Sequence, residues 1–170
     1  MRRLALVAGG AVVAAAALLA LVLVLGSRDD AEVAPAQGPG ELQPDRGASH
    51  DTPASASGDE PPTSGTHRPE LVTRDRRPLT DDQLIHALEL GNVVILSERP
   101  DPALAALQRE VAGPFDAELA AAGQAVILGR RPGPTVALAW RRALRSDDPA
   151  ELRAFAEAWL GRGAPQDGER

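Results

Sequence analysis

Residues 80–97 read TDDQLIHALELGNVVILS, a helix and a strand divided by one glycine. Thr80 and Gln83 stand at the N-cap and the third helical position, the spacing at which each side chain satisfies a free backbone donor of the other. Asp81 and Asp82 add negative charge where the helix dipole is positive. The helix runs through DDQLIHALEL and stops at Gly91, because glycine adopts the left-handed conformation that ends a helix without steric cost. Asn92 to Ser97 then forms a β-branched run bounded by turn residues, which predicts a strand buried on both faces. Helix and strand in this order commit the chain to helices layered on a sheet.

Downstream, Asp101 caps a second helix with Pro102 at its first position, and Leu104, Leu107 and Val111 share one face up to Gly113-Pro114. FDAELAAA adds a short helical piece. QAVILG (124–129) and TVALAW (135–140) predict two further strands, joined by the loop RRPGP as an antiparallel pair. Asp148 caps the last helix, Pro149 opens it, Leu152, Phe155 and Trp159 line one side and Gly161 ends it. Trp140 and Trp159 are expected in the core. The expected fold class is therefore α+β: a small three-stranded sheet with helices packed on it, with a fourth strand available from ELVTR (70–74).

Upstream the composition changes. From Ser27 to Leu79 no apolar periodicity is sustained, and the stretch holds 8 of the chain's 15 prolines, too little apolar surface to offset the entropy of ordering. Before it, Leu4 to Gly26 carries no charge; as a helix rising about 1.5 Å per residue, it would match a hydrocarbon core of roughly 30 Å. Arg2 and Arg3 precede it, and Asp29 and Asp30 offset Arg28 after it, which orients the N-terminus to the cytoplasm and the rest outside. The expected organisation is a single-pass membrane anchor over 1–27, a disordered stalk over 28–60, a small α+β domain over 61–165 with its compact core at 80–161, and a tail over 166–170.

The 170 residues include no cysteine, no tyrosine and no lysine. Disulfides and thiolate metal clusters are thereby excluded. A net charge of −6 and 2% aromatic residues leave neither a basic face for phosphates nor stacking platforms for bases, so nucleic acid is not an expected partner.

PPTSGTHRP (61–69), LIHALELGNVVIL (84–96), TVALAWRRAL (135–144) and GRGAP (161–165) together resemble a bacterial extracytoplasmic family, domain of unknown function 3105, over roughly His50 to Pro165. Its members typically carry a membrane anchor or signal, a Pro-Pro-Thr-Ser-Gly-Pro-His motif and a His-Ala-Leu-Glu-His-Gly motif. Pro61 to Gly65 and His67 match the first, with Thr66 in place of proline. His86, Ala87, Leu88, Glu89 and Gly91 match the second, but Leu90 stands where the family has its second histidine. His50 is similar in position to a further family histidine. The resemblance implies an envelope location and assigns no reaction.

The family's two helical histidines, four residues apart, would project from one face and could grip one ion. In this chain His86 is left with Glu89, three residues on and on roughly the same face, and His67 reaches them from a proline-stiffened turn. His67, His86 and Glu89 would make a two-histidine, one-carboxylate set suited to copper or zinc. Bland alternatives stand beside it: His86 buried against a backbone carbonyl, Glu89 paired with Arg68, Arg74 or Arg76, and His67 bracing its own motif. No complete catalytic constellation accompanies Thr63 or Ser64, so no enzymatic activity is expected. The leading expectation is a membrane-anchored, non-enzymatic interaction or accessory module of the cell envelope with a protein partner and no cofactor. The alternative is an extracytoplasmic copper- or zinc-binding protein using His67, His86 and Glu89.

Overall fold

Thr80 closes the expected capping box with Gln83, and Gly91 ends the helix in the left-handed region at φ 110°. The computed structural model describes residues 37–55 and 60–165. Over these the elements run β1 (Glu41–Leu42), α1 (Asp81–Leu90), β2 (Val93–Ser97), α2 (Pro102–Val111), α3 (Ala117–Ala121), β3 (Val126–Arg130), β4 (Val136–Ala139), β5 (Arg142–Arg145) and α4 (Pro149–Trp159). Asp101, Asp116 and Asp148 cap the last three helices through their carboxylates.

The class is α+β, but the sheet has five strands in the order β1-β5-β4-β2-β3 where three or four were expected. β3 and β4 are not the antiparallel pair that RRPGP predicted. They flank β2 on opposite sides: β3 runs parallel to it with Ile95 beside Leu128, and β4 antiparallel with Ile95 beside Ala137. A parallel neighbour needs a long crossover, which α2 and α3 supply, so the loop after β3 carries the chain across to the far side of β2. The hairpin partner of β4 is instead β5, reached through Trp140 and Arg141, with Arg141 at φ 55°. Trp140 therefore sits in this turn, half-buried, rather than in the core. ELVTR forms no strand; Val72 plugs the core and only Arg77 bridges to Gly129.

Helices cover both faces of the sheet. Val93, Ile95, Val126, Leu128 and Ala137 pack against α2 and α4 through Leu104, Leu107, Leu152 and Phe155. Val94, Leu96, Ile127 and Leu138 pack on the other side against Leu84, Ala87 and Leu88 of α1. This double burial is why β2, β3 and β4 are apolar without alternation.

The disordered stalk expected over 28–60 gives way to ordered chain at residues 38–55. Leu42 pairs with Arg142 at the sheet edge, and the indole Nε1 of Trp159 donates to the Pro39 carbonyl at 2.8 Å. Gly38 and Gly40 lie so close to Trp159 and Phe155 that a Cβ on either would come within 2.6 Å of a ring atom. The glycines and prolines that read as linker are what let this segment lie flat on aromatic rings. The anchor expected over 1–27 and the tail over 166–170 fall outside the described residues, among which no helix is long and apolar enough to cross a membrane.

Candidate metal centre

Three pieces of chain converge at the C-terminal half of α1. The helix itself carries His86 and Glu89, the segment Pro61 to His67 carries His67, and a strap over residues 44–51 carries His50. The strap and the 61–67 segment hold each other by backbone and hydroxyl contacts. Gly65 N–H donates to the Gly47 carbonyl at 2.8 Å and His67 N–H to the Ser49 carbonyl at 2.9 Å. The Ser64 hydroxyl accepts from Arg46 N–H and donates to the Pro44 carbonyl. Thr63 and Ser64 are thus buried structural groups, and the carbonyl of Thr63 takes the N–H of Arg141 at the hairpin turn. Asp82, in the first turn of α1, accepts both Arg68 N–H and Ala54 N–H on one oxygen. These two backbone donors hold its carboxyl below the ordinary value.

His67 is fully buried, and its Nδ1 lies 3.0 Å from the carbonyl of Gly65. A carbonyl only accepts, so Nδ1 carries the proton, and in the neutral ring Nε2 presents a bare lone pair. Gly65 can aim its carbonyl this way because it sits at φ 139°, a conformation other residues rarely adopt. The Nε2 of His67 faces Glu89 Oε2 at 3.2 Å and His86 Nδ1 at 3.4 Å, and His86 Nδ1 is 3.3 Å from the same carboxylate oxygen. His50 Nε2 reaches that oxygen from outside at 2.9 Å. All four donor atoms lie within 4.8 Å of one another.

Two features suit this set to a metal ion. An ionised carboxylate oxygen and the lone pair of His67 are both acceptors, so their close approach is favourable only with a cation, a proton or a metal, between them. In addition, donors arranged tetrahedrally at bonds of about 2.0–2.1 Å stand roughly 3.3 Å apart, and the triangle of His67, His86 and Glu89 has edges of 3.2, 3.3 and 3.4 Å. Burial pushes the pKa of His86 down, outweighing the hydrogen bond to Glu89 and the charge of that carboxylate, and the neighbouring His67 and His50 push the same way as burial. A neutral imidazole is the form that ligates. Three nitrogens and one oxygen fit zinc or copper better than a hard cation that takes only oxygen ligands.

The three residues expected from the sequence, His67, His86 and Glu89, come together. Two of the bland pairings do not form among the described residues: His86 faces side chains rather than a backbone carbonyl, and the carboxylate of Glu89 is met by histidines while Arg76 pairs with Asp75. The third does, since His67 Nδ1 bonds the Gly65 carbonyl within its own motif. Glu89 lies near the negative end of α1, where an uncompensated carboxylate is unfavourable and a bound cation would compensate it. Its backbone carbonyl, one of the helix's last, accepts from Ala164 N–H. Leu90, where the resembled family has a histidine, lines a cleft of about 620 Å³ beside His50, together with Trp140 and Asp45. His50 was not included in the expected ligand set. The signal for it is its similarity in position to a further family histidine, in surroundings that match the family pattern poorly.

A family described as Protein of unknown function (DUF3105) matches residues 51–169, most of the chain, and the chain belongs to it. No curated protein and no solved structure matches it. Glu89, His67 and His86 fall within the matched span, and His50 is the residue immediately before it.

Proposed function

We propose that this member of the DUF3105 family is a non-enzymatic accessory domain of the cell envelope whose working part is a zinc or copper site built from His67, His86, Glu89 and His50. The observation that carries the proposal is the near-equilateral triangle of His67 Nε2, His86 Nδ1 and Glu89 Oε2, with the His67 lone pair fixed toward the carboxylate by the Gly65 carbonyl. The family adds no chemistry of its own to this reading. The envelope location rests on the uncharged run from Leu4 to Gly26 with arginines before it, which would tether the domain outside the cytoplasm. An envelope protein that receives or delivers the ion would be the natural partner.

No acid–base or nucleophilic role is assigned to the histidines. Three of the four donor side chains are less than one-fifth exposed, His67 at 0%, His86 at 12% and Glu89 at 17%, which favours holding an ion over processing a substrate. Calorimetric titration of the full-length protein with zinc and with copper tests the proposal, run beside His67→Ala and His86→Ala. The expected result is one-to-one binding with Kd of about 1 μM or tighter, near −8 kcal/mol, lost in both variants. Absence of binding, with both variants melting lower, would make the cluster a hydrogen-bonded brace and overturn the proposal.

A further inference from the structure

We infer that His50 is an exchangeable ligand, and that a small neutral imidazole donor entering the neighbouring cleft replaces it on the ion. The inference rests on the metal reading above and names what the site would exchange. His50 differs from the other donors in its exposure and in the segment that carries it. It is 47% exposed where they are 0–17%, and it comes from the strap rather than from α1 or the buried 61–67 segment. Its Nε2 lies 2.9 Å from the Glu89 carboxylate oxygen. Its ring stands edge-on to that of His67 with centroids 4.8 Å apart and 6.1 Å from that of His86, so it lies against the set at its solvent side. The other three donors already form the triangular face that an ion needs, so the ion would keep three ligands while His50 comes and goes.

The cleft begins where His50 stands. Its wall includes His50, His86 and Glu89, with Leu90 and Trp140 offering apolar surface and Asp45 paired to Arg141 at 3.0 Å. At about 620 Å³ it has room for a molecule larger than one imidazole ring. Glu89 already supplies an anion to the ion, so a neutral nitrogen donor meets less repulsion there than a second carboxylate would. In the exchange the His50 nitrogen leaves the ion and the incoming nitrogen lone pair takes its position; no proton moves and the oxidation state is unchanged.

The test is a visible-spectrum titration of the full-length protein in detergent with cobalt(II), comparing wild type, His50→Ala and His86→Ala. His50→Ala should still take up one cobalt, more weakly by at least the roughly 10-fold that losing even an outer-shell partner costs, while His86→Ala should take up none. Added imidazole should return the His50→Ala spectrum to that of wild type, and acetate should not. Equal melting temperatures for wild type and His50→Ala would tie the weaker binding to the ligand rather than to folding. The inference is overturned if His50→Ala loses cobalt as completely as His86→Ala, if imidazole leaves its spectrum unchanged, or if acetate works as well. Failure of the wild type itself to take up cobalt would instead overturn the metal reading.

Discussion

His86 is the residue at which burial and chemistry oppose each other most directly. Taking an imidazole out of water disfavours its charged form, and here that effect exceeds the attraction of Glu89, so the folded-state pKa lies below the ordinary 6.5. The unfolded chain then binds a proton that the folded chain refuses. The stability His86 contributes is fully present above the unfolded value and is lost as pH falls below about 6.5 toward the folded value. Urea denaturation of the metal-free protein at a series of pH values should show stability declining below about pH 6.5, the ordinary histidine range, and His86→Asn should flatten that decline. An unchanged slope in the variant would assign the titration to another group. Of the site's four residues, His67, His86 and Glu89 were legible because a helix fixes the spacing of two and a proline-stiffened motif presents the third. His50 was not, since nothing local marks a histidine among Gly, Ala, Ser and Asp as ordered, and its partner is 39 residues away.

The element that sets the site is α1, and its C-terminal end is held by glycines. A Cβ on Gly163 would lie 2.0 Å from the carbonyl oxygen of Glu89, and one on Gly123 would lie 1.9 Å from that of Leu90. Neither backbone can yield cheaply, because the α1 end is also bonded through Gly161 N–H to the Gly91 carbonyl. Gly163→Ala should therefore destabilise the protein by about 1–3 kcal/mol and, by displacing Glu89, weaken zinc binding as well. Thermal melts and zinc titration of the variant check both effects; a variant as stable and as tight as wild type would mean the C-terminal segment does not position α1. Local signals served well at this scale. Capping residues and glycines marked α1, α2 and α4, the run FDAELAAA marked α3 without its Asp116 cap, and the apolar runs marked β2, β3 and β4. β5 escaped because Arg142 and Arg145 bracket only Ala143 and Leu144, and β1 because two residues carry no period. Pairing was misjudged for a topological reason: a short Pro-Gly loop looks like a hairpin whether its strands are neighbours or lie on either side of a third.

Across the whole molecule, the segment over 38–55 joins the domain that composition placed farther along the chain. It adds the edge strand, lays Gly38 and Pro39 on Trp159, and brings His50 to the site. A fragment of residues 37–170 should fold cooperatively and bind zinc, whereas a fragment of residues 61–170 should melt lower and bind more weakly. The shorter fragment exposes Trp159 to water and removes the bond its indole N–H donates to the Pro39 carbonyl, worth about 0.5–1.5 kcal/mol. Differential scanning calorimetry of both fragments decides this, and equal melting temperatures would mean the strap is dispensable. Folding and metal also reinforce each other: an ion at about 100 times its Kd adds about 2.7 kcal/mol to stability if it binds only the folded chain. Long-range closure of this kind, a strap pinned to a helix through side chains, has no periodic signature, which is why composition alone assigned it to a stalk.

The central claim is that His67, His86, Glu89 and His50 surround one ion. X-ray absorption at the zinc edge, on full-length protein loaded with one equivalent of zinc and freed of excess, addresses it most directly. The expected result is a four-coordinate shell of nitrogen and oxygen at about 2.0–2.1 Å, with outer-shell scattering from imidazole rings that diminishes in His86→Ala. Zinc lost on buffer exchange, or an oxygen-only shell without imidazole scattering, would contradict it.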